Sequence, residues 1–219
     1  MSFESVRREL IATCLELADK GYLAGTGGNV ACRIDDEHFA ITPSASDYYA
    51  LTPDDICVLR LSNLDQVAGT KRPSVEHKLH AHLLRARRDC NASIHTHQPI
   101  ASAYTLLGRD LQIESPALQA MLGTKGVRVG YAPSGTGWLA TKFRKSLRPD
   151  SNAYFLRNHG VVCCGPSLRE VIARVQALEN VCSNFFRNAI QQRQASGAEA
   201  WVADALALLV TNKGLENQP

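Results

Sequence analysis

The chain has 219 residues, 45% hydrophobic and 21% charged, with a formal net charge of +3. That length suits one large domain, 1–219, whose core needs no disulfide or metal staple. The small charge excludes the basic footprint of a nucleic-acid binder but allows a local basic pocket for an anionic metabolite. No apolar run approaches a membrane span, and the start Met1-Ser2-Phe3-Glu4-Ser5 lacks the apolar stretch of a signal peptide, so a cytoplasmic protein is expected. The seven cysteines form no C-x-x-C pair and read as reduced, buried small apolar residues.

Phe3, Val6, Leu10, Cys14 and Leu17 recur at three and four residues and predict a first helix ending at Gly21. Gly25-Thr26-Gly27-Gly28 is a flexible turn that delivers Asn29 into a strand running to Ile34. Asp35-Asp36 turns the chain, and His38 to Thr42 pairs back as a hairpin. The loop Pro43-Ser44-Ala45-Ser46 and a capped turn at Thr52-Pro53-Asp54-Asp55 precede a strand from Ile56 to Leu61. Pro73-Ser74 opens a second helix with Val75, Leu79, Leu83 and Ala86 on one face. A short strand over Asn91-Ala92-Ser93-Ile94 leads to His95, and a third helix runs from about Pro99 to Leu107. Val127 to Tyr131 is a strand and Gly137 to Leu147 a helix. Strands Ala153 to Leu156 and Val161 to Cys164 flank the turn Asn158-His159-Gly160. Ser167-Leu168-Arg169-Glu170 is a capping box opening a long helix, and Trp201 to Val210 is a final one. This order predicts a mixed α/β sandwich rather than a doubly wound parallel sheet, and no G-x-G-x-x-G follows a strand to imply a dinucleotide.

The chemistry centres on His95-Thr96-His97. Side chains at i and i+2 of a strand share a face, so both imidazoles can hold one ion. With His159 and Glu76 they make a plausible first shell for a divalent metal, since catalytic zinc takes three protein ligands and a displaceable fourth group. Glu76 falls in the first turn of the second helix, where a carboxylate also suits the helix dipole, and beside a metal it can serve as general acid or base. His77, His80 and His82 are read as structural or solvent-exposed. Gly25, Gly27 and Gly28 permit close backbone approach to a ligand, and with Asn29, Ser44 and Ser74 they suit a phosphate or are simply turns and caps. Neither a nucleophile elbow nor a P-loop is present.

Taken together, Gly25-Thr26-Gly27-Gly28-Asn29-Val30, Ile41-Thr42-Pro43-Ser44, Pro73-Ser74-Val75-Glu76, His95-Thr96-His97, Gly135-Thr136 and Asn158-His159-Gly160, with Gly165 and Glu179 behind, resemble the class II aldolase/adducin family from about Val6 to Arg187. The resemblance implies a three-layer α/β/α sandwich around a mostly antiparallel sheet, in a homotetramer with active sites between subunits. It implies zinc on His95, His97 and His159, with Mn²⁺, Co²⁺ or Fe²⁺ also compatible. Glu76 is then the fourth ligand and the acid–base, and Gly28, Asn29, Ser44, Ala45, Ser74 and Val75 stand where the aldolases bind the substrate phosphate. The implied reaction is retro-aldol cleavage of a small keto-sugar, such as a fuculose-1-phosphate-like sugar phosphate. Decarboxylation of a 3-oxo acid phosphate, dehydration, 4-epimerisation and a non-catalytic adducin-like module are the alternatives. Three departures stand out: Val75 replaces the second serine of P-S-S-E, Ala45 replaces the glycine of T-P-x-G, and ungapped counting finds Pro116 where fuculose-phosphate aldolases place a catalytic tyrosine.

Overall fold

The computed structural model describes residues 3–195 apart from 24 and 26; the helix expected at Trp201 to Val210 lies outside them. Strands β1 (Asn29–Arg33), β2 (His38–Ile41), β3 (Cys57–Arg60), β4 (Gln66–Ala68), β5 (Ala92–Thr96), β6 (Leu111–Gln112), β7 (Lys125–Val129), β8 (Ala153–Leu156) and β9 (Gly160–Gly165) form one sheet in the order β4-β3-β2-β1-β5-β9-β8-β7-β6. Every neighbouring pair is antiparallel except β7–β8. That parallel pair needs a crossover, supplied by helix α5 (Gly137–Ser146), whose N-terminus is capped by Thr136 Oγ1 accepting from Leu139 N–H at 3.2 Å.

Strand alternation splits the core in two. Val30, Cys32, Ala92, Ile94, Phe155, Val161 and Cys163 face α1 (Phe3–Asp19), α3 (Pro99–Tyr104), α4 (Pro116–Leu122) and α6 (Leu168–Ala195). Ala31, Tyr154, Leu156, Val162 and Cys164 face α2 (His77–Ala86) and α5. The result is the mixed α/β sandwich that the element order predicts, in the α/β/α form with a mostly antiparallel centre that the family resemblance implies. Val6, Leu10, Cys14 and Leu17 of α1 are fully buried, as their spacing requires. At the start of α6, Glu170 N–H donates to Ser167 Oγ at 3.3 Å.

The structure departs from the sequence pattern at short or terminal pieces. Strands β4 and β6 and helix α4 are additional to the expected elements. The last turn of the third helix, Thr105–Leu107, is a 3₁₀ turn, and Gly108 ends it in the left-handed region. The second helix begins at His77, so Glu76 is its N-cap residue, and its side chain is turned away from capping duty. All seven cysteines are buried and free, and among the described residues no helix is long and apolar enough to cross a membrane.

Candidate metal centre

Two strand pairings bring the site together. In the β1–β5 ladder Asn29 lies opposite His95, and in the β5–β9 ladder His95 lies opposite Val162. Strand β5 presents Ser93 and His95 to the α2 side, and His97 follows directly after the strand, its ring against that of His95, near the N-terminus of α2 and Glu76. His159 enters from the turn joining β8 to β9. Asn158 there adopts a left-handed backbone (φ 56°), which asparagine tolerates better than most residues. Gly160 follows because a Cβ at that position would stand 2.5 Å from the Thr96 carbonyl oxygen and 2.6 Å from the His97 ring. The glycine is therefore space for the imidazoles.

The three rings sit with centroids 4.7–5.1 Å apart, and their nitrogens form a group able to hold a metal ion. His95 Nδ1 is 2.9 Å from the Val161 carbonyl, which accepts only from a protonated nitrogen, so the lone pair of His95 lies on Nε2. That Nε2 faces His97 Nε2 at 3.0 Å and Glu76 Oε2 at 3.3 Å, while His159 Nε2 lies 3.5 Å from Glu76 Oε1. Ring nitrogens and carboxylate oxygens gathered in a buried pocket offer more lone pairs than N–H donors, and a cation among them would satisfy the surplus. The donor set fits a divalent metal.

Electrostatics agree in direction. Burial, reinforced by the neighbouring rings and opposed by Glu76, lowers the His95 and His159 pKa values, His159 to about 4; burial likewise lowers that of His97, and the rings are neutral near pH 7. Burial pushes the Glu76 carboxyl up, but His95, His159 and hydrogen bonds from Asn29 and Ser134 outweigh it and bring the group to about 2. Glu76 is ionised.

A further layer of residues fixes this carboxylate. Asn29 Nδ2 donates to Glu76 Oε2 at 2.9 Å, and Ser134 Oγ donates to Oε1 at 2.9 Å. The Asn29 amide is oriented in turn by His80 Nε2 on its oxygen, and the other nitrogen of His80 meets Ser93 Oγ at 2.8 Å. His80 is fully buried, its pKa lowered to about 3 chiefly by burial. Helix spacing alone does not single it out among His77, His80 and His82. Ser134 is also missed by motif reading, its one signal being its place next to Gly135-Thr136. Beyond His97, Glu179 of α6 accepts from the Ile100 and Ala101 N–H groups at 2.8 Å each, anchoring the start of α3.

The expected phosphate residues gather on adjoining loops. Pro43 and Pro73 form a β-bridge, Ser74 N–H donates to the Thr42 carbonyl at 3.1 Å, and Ser44 N–H donates to that of Arg72 at 2.9 Å. Gly28 (φ 86°) packs so closely that an added Cβ would meet Leu23 and the His95 carbonyl oxygen within 3 Å. Ala45 holds a left-handed backbone (φ 48°), and Val75 is 57% exposed. Ser74 is buried, its Oγ accepting from Glu76 N–H at 3.2 Å. Asn29 differs from the others, since both ends of its amide are engaged by Glu76 and His80.

Comparison with known proteins agrees with this geometry. The family model for the class II aldolase and adducin N-terminal domain matches residues 8–186. The chain is 32% identical to an L-fuculose phosphate aldolase of Methanocaldococcus jannaschii, over 79% of this chain and 91% of that protein. It is 30% identical to a 5-deoxy-D-ribulose 1-phosphate aldolase of Bacillus thuringiensis serovar kurstaki, over 85% of this chain and 86% of that one. Among solved structures it is similar to an L-fuculose 1-phosphate aldolase (TM-score 0.76, 26% identity, 94% and 96% of the two chains). It is also similar to YgbL of Klebsiella pneumoniae, a proposed aldolase/epimerase/decarboxylase (TM-score 0.77, 27% identity, 85% and 90%). The chain belongs to the class II aldolase and adducin family. Its relatives make it a carbon–carbon lyase of the class II aldolase type.

Proposed function

We propose that this lyase cleaves a small ketose 1-phosphate in the retro-aldol direction, with L-fuculose 1-phosphate and 5-deoxyribulose 1-phosphate as the first substrates to test. The relatives that act on these sugars support the class, and the gathering of three imidazoles, two of them with Nε2 against the Glu76 carboxylate, carries the chemistry. His95, His97 and His159 would hold the divalent cation, with Glu76 completing the set. Zn²⁺ suits these donors, and Mn²⁺, Co²⁺ or Fe²⁺ are compatible. Such a cation supplies the Lewis-acid sink for the electron pair released as the carbon–carbon bond breaks.

The chain supplies positioning and proton handling. Glu76 rests ionised because Asn29, Ser134 and the neighbouring rings stabilise its charge. A bound substrate that disturbs these contacts and expels water moves its pKa upward, and the carboxylate can then accept a proton and return it to the substrate carbon. The phosphate is received by the backbone N–H groups of Gly28, Ala45 and Val75 and by the Ser44 hydroxyl, since the Ser44 and Ser74 N–H groups already bond the Arg72 and Thr42 carbonyls, and the Val75 side chain offers only an apolar surface. Asn29 contributes through Glu76. The expected setting is a single-domain cytoplasmic homotetramer with interfacial active sites, on the strength of the family resemblance; seven free thiols are consistent with a reducing compartment.

A second reading, decarboxylation of a 3-oxo acid phosphate, uses the same electron sink. It is favoured by the likeness to YgbL and by Pro116, which starts α4 where the fuculose-phosphate enzymes would place tyrosine. The test is a panel of ketose 1-phosphates, their unphosphorylated counterparts and 3-oxo acid phosphates, assayed with Zn²⁺. Dihydroxyacetone phosphate plus an aldehyde is the expected product pair. Carbon dioxide release would move the assignment to the second reading, and a metal-free, chelator-insensitive enzyme would sink both.

A further inference from the structure

The opposite end of the same two elements holds a second cluster of charged groups. Arg33 ends β1, four residues beyond Asn29, while Arg85 lies in the last turn of α2 and Arg88 just after it. With Asp36, Leu61 and Ser62 these arginines line a cavity of about 290 Å³. A ten-residue α2 separates it from Glu76 by roughly 15 Å. None of its lining residues belongs to the metal centre or its loops.

The guanidinium groups there are short of partners. Arg33 donates one N–H of Nη2 to the Leu84 carbonyl, while its buried Nε and Nη1 have no hydrogen-bond partner. A buried guanidinium donor left unpaired is costly; these two atoms are closed off from the cavity, and an acceptor there meets them only after the Arg33 side chain shifts. Arg85 is fixed to the neighbouring loop by Nε on the Leu61 carbonyl at 2.5 Å and Nη2 on that of Ser62 at 3.1 Å. These bonds occupy one edge of the guanidinium and hold it at the cavity wall, leaving Nη1 for a ligand. Arg88 has one acidic contact, Asp36 at 3.5 Å, with side chains 69% and 95% exposed, so little energy holds that pair together. Burial chiefly, and the proximity of Arg88, lower the Arg33 pKa, while Asp36 opposes the shift.

We propose that this cavity is a binding site for a phosphate monoester, separate from the catalytic centre. Three guanidinium groups against one carboxylate leave two formal positive charges, matching a monoester dianion. The planar forks suit its terminal oxygens. The volume lies near the lower end of small-molecule pockets, enough for a phosphate with a small organic portion rather than the bare ion alone. Exposed Arg88 and Asp36 are the side chains that yield as the anion enters. The C-terminal carbonyls of α2 disfavour an anion, but Arg33 already neutralises one of them through Leu84.

The test titrates the full-length protein with inorganic phosphate at fixed ionic strength by calorimetry, and locates the ion by diffraction from a phosphate soak. Phosphate is expected in the cavity within hydrogen-bond reach of Arg33. Arg88→Ala and Arg33→Met should each weaken that binding at least about tenfold, the loss of one charge-assisted hydrogen bond. Exposed Arg88 can be truncated without harming the fold, and its variant should retain wild-type kcat/KM. His97→Ala should still bind phosphate in the cavity, which separates this site from the proposed active site. Phosphate found only beside Ser44 and Ser74, unchanged affinity in both arginine variants, or a cavity closed in solution by a second copy of the chain would overturn the proposal.

Discussion

The two walls of the candidate active site are built differently. On one, a carbonyl orients His95 and an amide orients Glu76, His97 and His159 pack against them, and Glu76 and His95 are almost wholly buried. On the other, Ala45 and Val75 are exposed on connecting loops, at the two positions that depart from the glycine and serine of the aldolase motifs they resemble. Buried donors facing one another tolerate little change, because each loss leaves the rest unsatisfied. Exposed loop positions can change without disturbing the fold. In the function proposed above, the first wall would fix the kind of chemistry and the second would set which substrate is taken.

The largest effect should come from the buried wall. His97→Ala should lose the bound cation and lower kcat/KM by at least about 10³-fold, the equivalent of several kcal/mol, with a circular dichroism spectrum like that of the parent. Retained metal content in this variant would break the contrast drawn between the walls. Next, His80→Ala removes the partner of both Asn29 and Ser93 and should cost about 1–3 kcal/mol in urea unfolding. It should also lower kcat more than it raises KM, because Glu76 loses its fixed orientation.

The neutral buried rings give the same wall a pH signature in chelator-stripped protein. His80 and His159 have folded pKa values of about 3 and 4, below the value near 6.5 expected when unfolded. Their contribution is therefore fully present above pH 6.5 and is lost as pH falls toward 4 and then 3, because the unfolded chain binds protons first. Glu76, depressed to about 2 from 4.5, adds its own loss only below pH 4.5. The urea midpoint should fall steadily from pH 6.5 downward; a flat midpoint between pH 6.5 and 4.5 would mean that these rings are not held neutral.

The loop wall should respond more mildly. Val75→Ser should lower KM for a ketose 1-phosphate by up to about tenfold and leave the unphosphorylated sugar unaffected, as one added hydrogen bond to an anion would. An equal effect on both sugars would remove this loop from phosphate recognition. Ala45→Gly should relieve the left-handed backbone and stabilise the fold by about 1 kcal/mol, a rise of roughly 2–4 °C in Tm.

Much of the buried wall is legible in the residues themselves. Period-two placement puts His95 and His97 on one face, the Asn-His-Gly turn falls between two apolar strands, and spacing alone sets the buried stripe of α1. The elements that the pattern does not reveal have physical causes. Strands β4 and β6 are three and two residues long, too short to show alternation, and they lie at the sheet's edges. Helix α4 has seven residues, of which one, Leu122, is buried.

By itself the sequence determined the local conformations and the residue types able to bind a metal, because backbone preference and side-chain period act over a few neighbouring residues. Tertiary structure decided which of seven histidines meet. His77, His80 and His82 share one helix, yet His80 alone of the three is wholly enclosed, because it lies where α2 packs against β1 and β5. Glu76 reaches His95 and His159 only because non-local strand pairing and helix packing bring together segments from 19 to 83 residues apart in the chain. Ser134 joins them from a loop whose one signal in the sequence is the neighbouring Gly135-Thr136. Such distances are closed by burial of the two apolar faces of the sheet, a property of the whole chain that no single motif contains.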